Sequence, residues 1–343
     1  MTPPPSVPIT IRRLSREFSE NGIPSADAEA RLLVAHVLGV PLARLPLADP
    51  PTDAQLSKLD DLARKRLSGI PLQHLTGRAA FRTIEVAVGP GVFIPRPETE
   101  LVAGWVIDWL RAQSADRAAP SRIVELGAGT GAISLAIAAE APGQEQWVVE
   151  RSPEALSYLR RNVEASGVEV SSSGEARSAR RSVGDAASSH ETGSVAPSPS
   201  APGSSLFHVI AGDMADALPE SLDGLIDVVV VNPPYIPLSE AMLLPGDVLH
   251  DPAEALFSGA DGLDAIRVVA RVARRLLRSG GALAVEHGDG QAQAVGEIFS
   301  TAGFIEVVSH DDLTGRARFV TASAPSSADS AVNPRLAEGG VAK

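Results

Sequence analysis

The sequence predicts an α/β protein: a mostly parallel sheet with helices on both faces, preceded by a small all-α domain and a connecting β-hairpin. Three patterns carry that expectation. From Arg122 onward short apolar runs alternate with amphipathic stretches, as strands joined by crossover helices do. Between about 9 and 80 the apolar residues recur at helical spacing. Between 81 and 95, Ile84, Val86 and Val88 alternate ahead of Gly89-Pro90-Gly91 and Val92-Phe93-Ile94, which reads as a hairpin. A length of 343 residues suits two domains.

The N-terminal segment 1–8 is proline-rich and is expected to be disordered. In the helical region Ser25 is a candidate cap, with Asp27 and Glu29 in the first turn where the helix dipole favours acids. Leu32, Leu33, His36 and Val37 form the expected apolar stripe, and Gly39 the stop. His36 reads as a core histidine. A second helix is expected over Asp53–Leu67, with Leu56, Leu59, Leu62 and Ala63 on one face. After the hairpin, Pro97 near a first helical position and Glu98 and Glu100 in the first turn open another helix.

The expected strands of the C-terminal domain, 96–323, are Ile123–Leu126, Gln146–Glu150, Phe207–Ile210, Ile226–Val231, Ala282–Glu286, Phe304–Ser309 and Arg318–Thr321, seven in all. Helices are expected at Ala132–Glu140, Pro153–Ala165, Leu263–Arg278 and Gln291–Ala302. Ser171–Ser205 contains twelve serines and no large apolar side chain, so it cannot offset its ordering entropy and is expected to be a disordered insertion. The tail 324–343 reads the same way.

Composition narrows the function. There is no cysteine, so disulfides, thiolate metal sites and a cysteine nucleophile are excluded. The histidines lack metal-ligand spacing, and no metal is expected. A net charge of -12 disfavours phosphate backbones as partners. The absence of a long apolar run and of a signal-peptide pattern points to a cytoplasmic protein without a membrane partner.

Four features fall at the carboxyl ends of four successive expected strands, the edge where open α/β sheets bind ligands. The first is Glu125-Leu126-Gly127-Ala128-Gly129-Thr130-Gly131, whose glycines let a ligand approach the backbone at a helix N-terminus. Alone it would equally suit a dinucleotide or a tight turn. The second is Glu150, an acid able to accept both hydroxyls of a ribose, or a solvated strand-end charge. The third is Asp213, placed to take an exocyclic amine of adenine, or to cap a turn. The fourth is Asn232-Pro233-Pro234-Tyr235. Two prolines remove two backbone donors and end the strand, leaving the Asn232 and Pro233 carbonyls to accept hydrogen bonds from something other than the sheet. A planar NH2 group lying against Tyr235 fits those acceptors.

In this order the four features resemble a class I, Rossmann-like S-adenosylmethionine-dependent methyltransferase of the amino-methylating kind. With Ile94-Pro95-Arg96-Pro97-Glu98-Thr99-Glu100, Asn232 to Ile236, His250-Asp251-Pro252-Ala253-Glu254-Ala255-Leu256 and Glu286-His287-Gly288, the chain is similar to the release factor glutamine methyltransferase family (HemK/PrmC) over about 9–322. The resemblance implies methylation, on the side-chain amide N5, of the glutamine in the Gly-Gly-Gln motif of class 1 peptide release factors. It implies that the helical domain recognises that substrate. It also implies S-adenosylmethionine contacts from Gly127, Ala128, Gly129, Thr130, Gly131, Glu150, Asp213, Met214 and Asn232. Asn232, Pro233, Pro234 and Tyr235 would hold the glutamine, with Asn232, Pro233 and Tyr235 catalytic. A monomer acting without nucleic acid is expected. Three departures from the family pattern stand out: Glu150 replaces the usual Asp, Met214 an aromatic, and the serine-rich insertion a short connection. Rival readings are an adenine-N6 DNA or RNA methyltransferase, which shares the Asn-Pro-Pro-Tyr logic, and a non-catalytic S-adenosylmethionine-binding module.

Overall fold

A computed structural model describes residues 4–114, 119–171, 204–244, 246 and 248–326. Most of the serine-rich stretch and the tail from 327 therefore lie outside the described residues.

The chain divides into two units. The first comprises Met1–Ala79, Ala87–Ile94 and Met242–Ala253. Its helices are α1 (Val7–Glu20), α2 (Ala26–Leu38), α3 (Asp53–Leu67) and α4 (Leu72–Thr76). Leu14, Phe18, Leu33 and Leu59 are fully buried at its centre. Helix α3 starts in a capping box: the Thr52 hydroxyl accepts the Gln55 N–H while Gln55 reaches back to the Thr52 N–H at 2.9 Å. Arg66 on α3 clamps Glu29 on α2 through both carboxylate oxygens, at 2.5 and 3.1 Å. Gly39 ends α2 with φ 68°, a left-handed cap that glycine adopts without strain.

Four expectations need correction here. Helix α1 already includes Val7 and Pro8, because proline is compatible with a first helical turn and Val7 is buried. Leu32 faces outward, 41% exposed, so the stripe of α2 runs through Ala30, Leu33, Val34 and Val37. Ser25 occupies the cap position of α2 without a side-chain bond. The segment Met242–Ala253, expected in the C-terminal domain, groups with the helices: the buried Asp251 accepts the Ile94 N–H at 3.1 Å.

The hairpin is real but sits earlier than expected. Its strands are β1 (Arg78–Phe81) and β2 (Ile84–Ala87), joined through Arg82 at φ 50° and Thr83. A two-residue connection with positive φ matches the twist of paired strands. The Gly89-Pro90-Gly91 stretch follows β2 as a turn, and Val92–Ile94 forms no strand.

The second unit comprises Ala80–Val86, Pro95–Ala241 and Glu254–Lys343. Its first helix, α5 (Thr99–Ser114), begins two residues after Pro97, which sits in the preceding turn; Thr99 N–H donates to Arg96 O. An eight-stranded sheet is built from β3 (Arg122–Leu126), β4 (Glu145–Glu150), β5 (Glu169–Val170), β6 (Leu206–Ala211), β7 (Ile226–Val231), β8 (Leu277–Glu286), β9 (Ile305–Asp311) and β10 (Ala317–Ser323). The order is β5-β6-β4-β3-β7-β8-β10-β9, parallel except for the pairs that β10 makes with β8 and β9. The two-residue edge strand β5 adds one to the seven expected. Helices α6 (Ala132–Glu140), α7 (Pro153–Ser166), α8 (Ala253–Leu256), α9 (Asp264–Leu276) and α10 (Ala292–Thr301) complete the chain. Residues of the sheet's two faces pack into separate apolar clusters: Val124, Leu126, Val229 and Val231 in one, Ile123, Val228 and Val230 in the other. That division is the period-2 alternation of a strand buried on both sides.

The limits of the insertion and the tail also move. Ser205 is buried, its carbonyl accepts the Glu169 N–H at 3.2 Å, and Ser171 N–H donates to Phe207 O at 2.9 Å. Ala324 is buried and exchanges bonds with Gly280 and Gly281. Among the described residues, no helix is long and apolar enough to cross a membrane.

Candidate active site

Strand order reverses at β3, which has β4 on one side and β7 on the other, so the loops leaving β3 and β7 diverge at a topological switch point. Leu126 and Val231, the last residues of those two strands, are register partners. The glycine loop and Asn232 are thereby brought side by side.

The loop is shaped by three glycines at positive φ: Gly127 at 68°, Gly129 at 57° and Gly131 at 79°. Ala128 N–H donates to Val149 O, and Gly131 N–H to Ala128 O. The Asn162 amide on α7 donates to Thr130 O at 2.9 Å. These bonds fix the loop from three sides. Gly131 caps α6, and a Cβ there would stand 2.5 Å from Leu159 Cδ1.

Glu150 ends β4 beneath this loop. Its Oε2 accepts the Gly129 N–H at 2.7 Å and its Oε1 the Ser152 N–H at 2.8 Å. Each oxygen keeps a further lone pair for a hydroxyl. The methylene that distinguishes Glu from Asp is accommodated by these two backbone donors. Asp213 follows β6, holds its own turn through Ala215 N–H at 2.9 Å, and meets Arg151 at 3.3 Å. Met214 is half-buried, with its Cε 3.7 Å from the position of a Cβ at Gly127, so a thioether lies over the loop where an aromatic was the usual expectation.

The Asn232 Nδ2 donates to Thr99 Oγ1 at 3.1 Å. Among the described residues no donor is bonded to Asn232 Oδ1 or to the Pro233 carbonyl. Tyr235 is held at both ends. Its hydroxyl donates to Glu286 Oε1 at 3.1 Å, and its carbonyl accepts from Gln291 Nε2 at 2.9 Å. Gln291 Oε1 in turn accepts the Gly288 N–H at 2.8 Å. Gly262, at φ 78°, leaves room for that carbonyl, which a Cβ would meet at 2.2 Å.

Two carboxyls behind this surface are fully buried. Glu286 is pushed up to about 7 by burial, against the pull of the Thr99 and Tyr235 hydroxyls and of Arg318. Glu125, beneath the glycine loop, is likewise raised to about 7 by burial, although Oε2 accepts both the N–H and the hydroxyl of Ser134. The Tyr235 hydroxyl is pushed far up by burial and by Glu286, and stays protonated. His287 is buried and driven towards its neutral form, with Nδ1 2.8 Å from Gly288 O. Phe93, expected in the hairpin, belongs to the Ala87–Ile94 segment of the helical unit.

Sequence reasoning placed the glycine loop, Glu150, Asp213 and Asn232–Tyr235 on one edge. It assigned no role to Thr99, Gln291, Asn162 or Glu125. Glu286 was legible as a strand-end acid on the same edge, although only as part of a motif.

A known-family match to the PrmC N-terminal domain spans residues 10–77, and one to a methyltransferase small domain spans 108–188. The chain is 40% identical to the release factor glutamine methyltransferase of Streptomyces coelicolor, over 91% of this chain and 96% of that one. It is 42% identical to that of Mycolicibacterium smegmatis, over 88% and 92%. A solved structure, the protein-(glutamine-N5) methyltransferase (release factor-specific) from Alicyclobacillus acidocaldarius, is 22% identical with a TM-score of 0.35, covering 69% of this chain and 98% of that one.

Proposed function

This chain belongs to the release factor glutamine methyltransferase family, and from that premise we propose how its own residues perform the reaction. The reaction is methylation of the side-chain amide nitrogen of the Gly-Gly-Gln glutamine of class 1 release factors. S-adenosylmethionine supplies a methyl group activated by its sulfonium charge. The residues present suit such a donor. A loop of positive-φ glycines opens a helix N-terminus, Glu150 is a buried carboxylate with acceptor capacity left, and Met214 offers an apolar wall. Gly127–Gly131, Glu150, Asp213, Met214 and Asn232 are the proposed donor-binding residues.

An amide nitrogen is a weak nucleophile because its lone pair is delocalised into the carbonyl. Asn232 Oδ1 and the Pro233 carbonyl accept its two hydrogens, draw electron density onto nitrogen and aim the lone pair. Positive charge that develops on that nitrogen is stabilised by the same two oxygens. Tyr235 packs on the amide plane, with Pro234 fixing the turn between them. Orientation of this kind can supply roughly 7–11 kcal/mol in favourable cases. The alkylated nitrogen is acidic enough to release its proton to water, so no strong base is needed. The histidine beside this edge, His287, is buried and neutral and takes no part.

The observation that carries this reading is the orientation of Asn232. Its NH2 is engaged by Thr99, which leaves Oδ1 as the acceptor on offer. Action as a cytoplasmic monomer without nucleic acid completes the reading, supported by the net charge of -12. The test is incubation with labelled S-adenosylmethionine and a purified class 1 release factor, with mass mapping of the product. One methyl on the glutamine is expected, and none with Asn232→Ala, which should retain donor binding. Near wild-type turnover by that variant would overturn the mechanism.

A further inference from the structure

We propose that Glu286 and Thr99 are positioning residues that decide which end of the Asn232 carboxamide faces the substrate. The inference rests on the function proposed above and adds two residues to it.

A carboxamide is nearly symmetric in shape, and Asn232 could present either Oδ1 or Nδ2 to the pocket. Only Oδ1 can accept an amide hydrogen from glutamine. A donor presented there would repel the substrate amide and orient nothing. Something must therefore break the symmetry, and Asn232 bonds Thr99 Oγ1. A hydroxyl alone cannot settle the matter, because it both donates and accepts. If Thr99 donates to Asn232, Oδ1 turns inward and Nδ2 faces the pocket. If Thr99 accepts, the opposite holds.

Glu286 resolves the ambiguity. It ends β8 on the same edge, is 1% exposed, and its Oε1 already holds the Tyr235 hydroxyl. Its Oε2 is buried with no hydrogen-bond partner, and the nearby Thr99 hydroxyl favours the charged form of the same carboxyl group. Among the described residues no acceptor is hydrogen-bonded to that hydroxyl, and Oε2 is the nearby buried acceptor left without a donor. An ionised carboxylate only accepts, so the unpartnered Oε2 is the acceptor open to the Thr99 hydrogen. Thr99 is then left with lone pairs alone towards Asn232 and must receive Nδ2–H. The chain of direction runs from Glu286 through Thr99 to Asn232, and the same carboxylate anchors the Tyr235 ring. Thr99 lies at the start of α5, so a single buried acid links three chain segments that hold the amide.

Glu286→Gln keeps the shape but restores the ambiguity, because its NH2 can donate to Thr99. We expect kcat to fall about 100-fold, as a misplaced reacting group does, with KM for the release factor and Kd for S-adenosylmethionine within about threefold of wild type. Thr99→Val should do the same, and Thr99→Ser should restore the rate. The double variant should be no slower than the worse single one, since both act through one orientation. Near wild-type kcat in both Glu286→Gln and Thr99→Val would overturn the inference. Additive losses in the double variant would overturn it too.

A readout independent of turnover separates this from a failure of the functional reading. In the free protein, nuclear Overhauser contacts between the Asn232 side-chain NH2 and the Thr99 methyl are expected in the wild type and should weaken in Glu286→Gln. Their absence in the wild type sinks the relay, whatever the substrate proves to be. Wild-type protein that leaves release factors unmodified yet shows these contacts would instead reject the assigned reaction and keep the relay.

Discussion

Replacing Glu125 by glutamine should change how the stability of this protein depends on pH. The side chain sits one residue before the end of β3, is 2% exposed, and has a pKa raised to about 7 from 4.5. The cause is burial, only partly offset by the two hydrogen bonds from Ser134. The unfolded chain releases this proton around pH 4.5, whereas the folded chain keeps it until about 7. Through that interval the unfolded state binds fewer protons, so stability falls as pH rises. The sign is opposite to that of an acid held in a salt bridge. The gap, from about 7 down to 4.5, at 1.36 kcal/mol per pH unit, amounts to roughly 3 kcal/mol. Glutamine has no proton to lose, so the variant escapes this penalty. Urea unfolding of donor-free protein, measured for both forms from pH 4.5 to 8, isolates the effect. Glu286 contributes in the same direction in both and cancels in the difference. The stability of the variant relative to wild type should climb by roughly 3 kcal/mol between pH 4.5 and 7.5 and then level off. A difference that stays flat, or that declines with pH, would refute the reasoning.

Three other outcomes follow from the same site. Gly131→Ala forces a Cβ onto Leu159 at φ 79° and should cost about 1–3 kcal/mol, read as a lower Tm together with weaker donor binding; an unchanged Tm would mean that the loop yields freely. Glu150→Ala removes the carboxylate that Gly129 and Ser152 hold and should weaken S-adenosylmethionine binding at least tenfold by calorimetry; an unchanged Kd would remove Glu150 from the donor site. The logarithm of kcat should rise with pH to a plateau above about 7, as Glu286 loses its proton in a setting where Thr99, Tyr235 and Arg318 favour the charge and Glu98 opposes it; a profile flat from pH 6 to 8.5 would contradict that assignment.

The sheet was legible because strands buried on both faces are apolar nearly throughout. Ile226–Val231 is buried at every position and has the same limits as the expected strand. That the candidate site residues share one edge was legible for the same reason: once the strands are placed, the residues that follow them lie together. The hairpin was misplaced because Gly89-Pro90-Gly91 has turn composition, whereas the actual turn at Arg82-Thr83 carries no such signal. Composition cannot reveal a positive φ at arginine. The edge strand Glu169–Val170 was invisible because two residues carry no periodicity. Thr99, Glu286 and Gln291 were missed as a group. Thr99 is 133 positions from Asn232, and Glu286 and Gln291 are 51 and 56 from Tyr235, yet in space Asn232 touches Thr99 while Tyr235 touches Glu286 and Gln291. Hydrogen bonds between distant segments leave no mark on local pattern.

The edge strand β5 has an engineering consequence. Ser171 and Ser205 are each tied to a neighbouring strand, Ser171 through its N–H to Phe207 and Ser205 through its carbonyl to Glu169. A backbone opened between them would leave both new ends stapled to the sheet. A reporter domain inserted there is therefore expected to be tolerated, because Glu150, Asp213 and Asn232 lie at other strand ends, those of β4, β6 and β7.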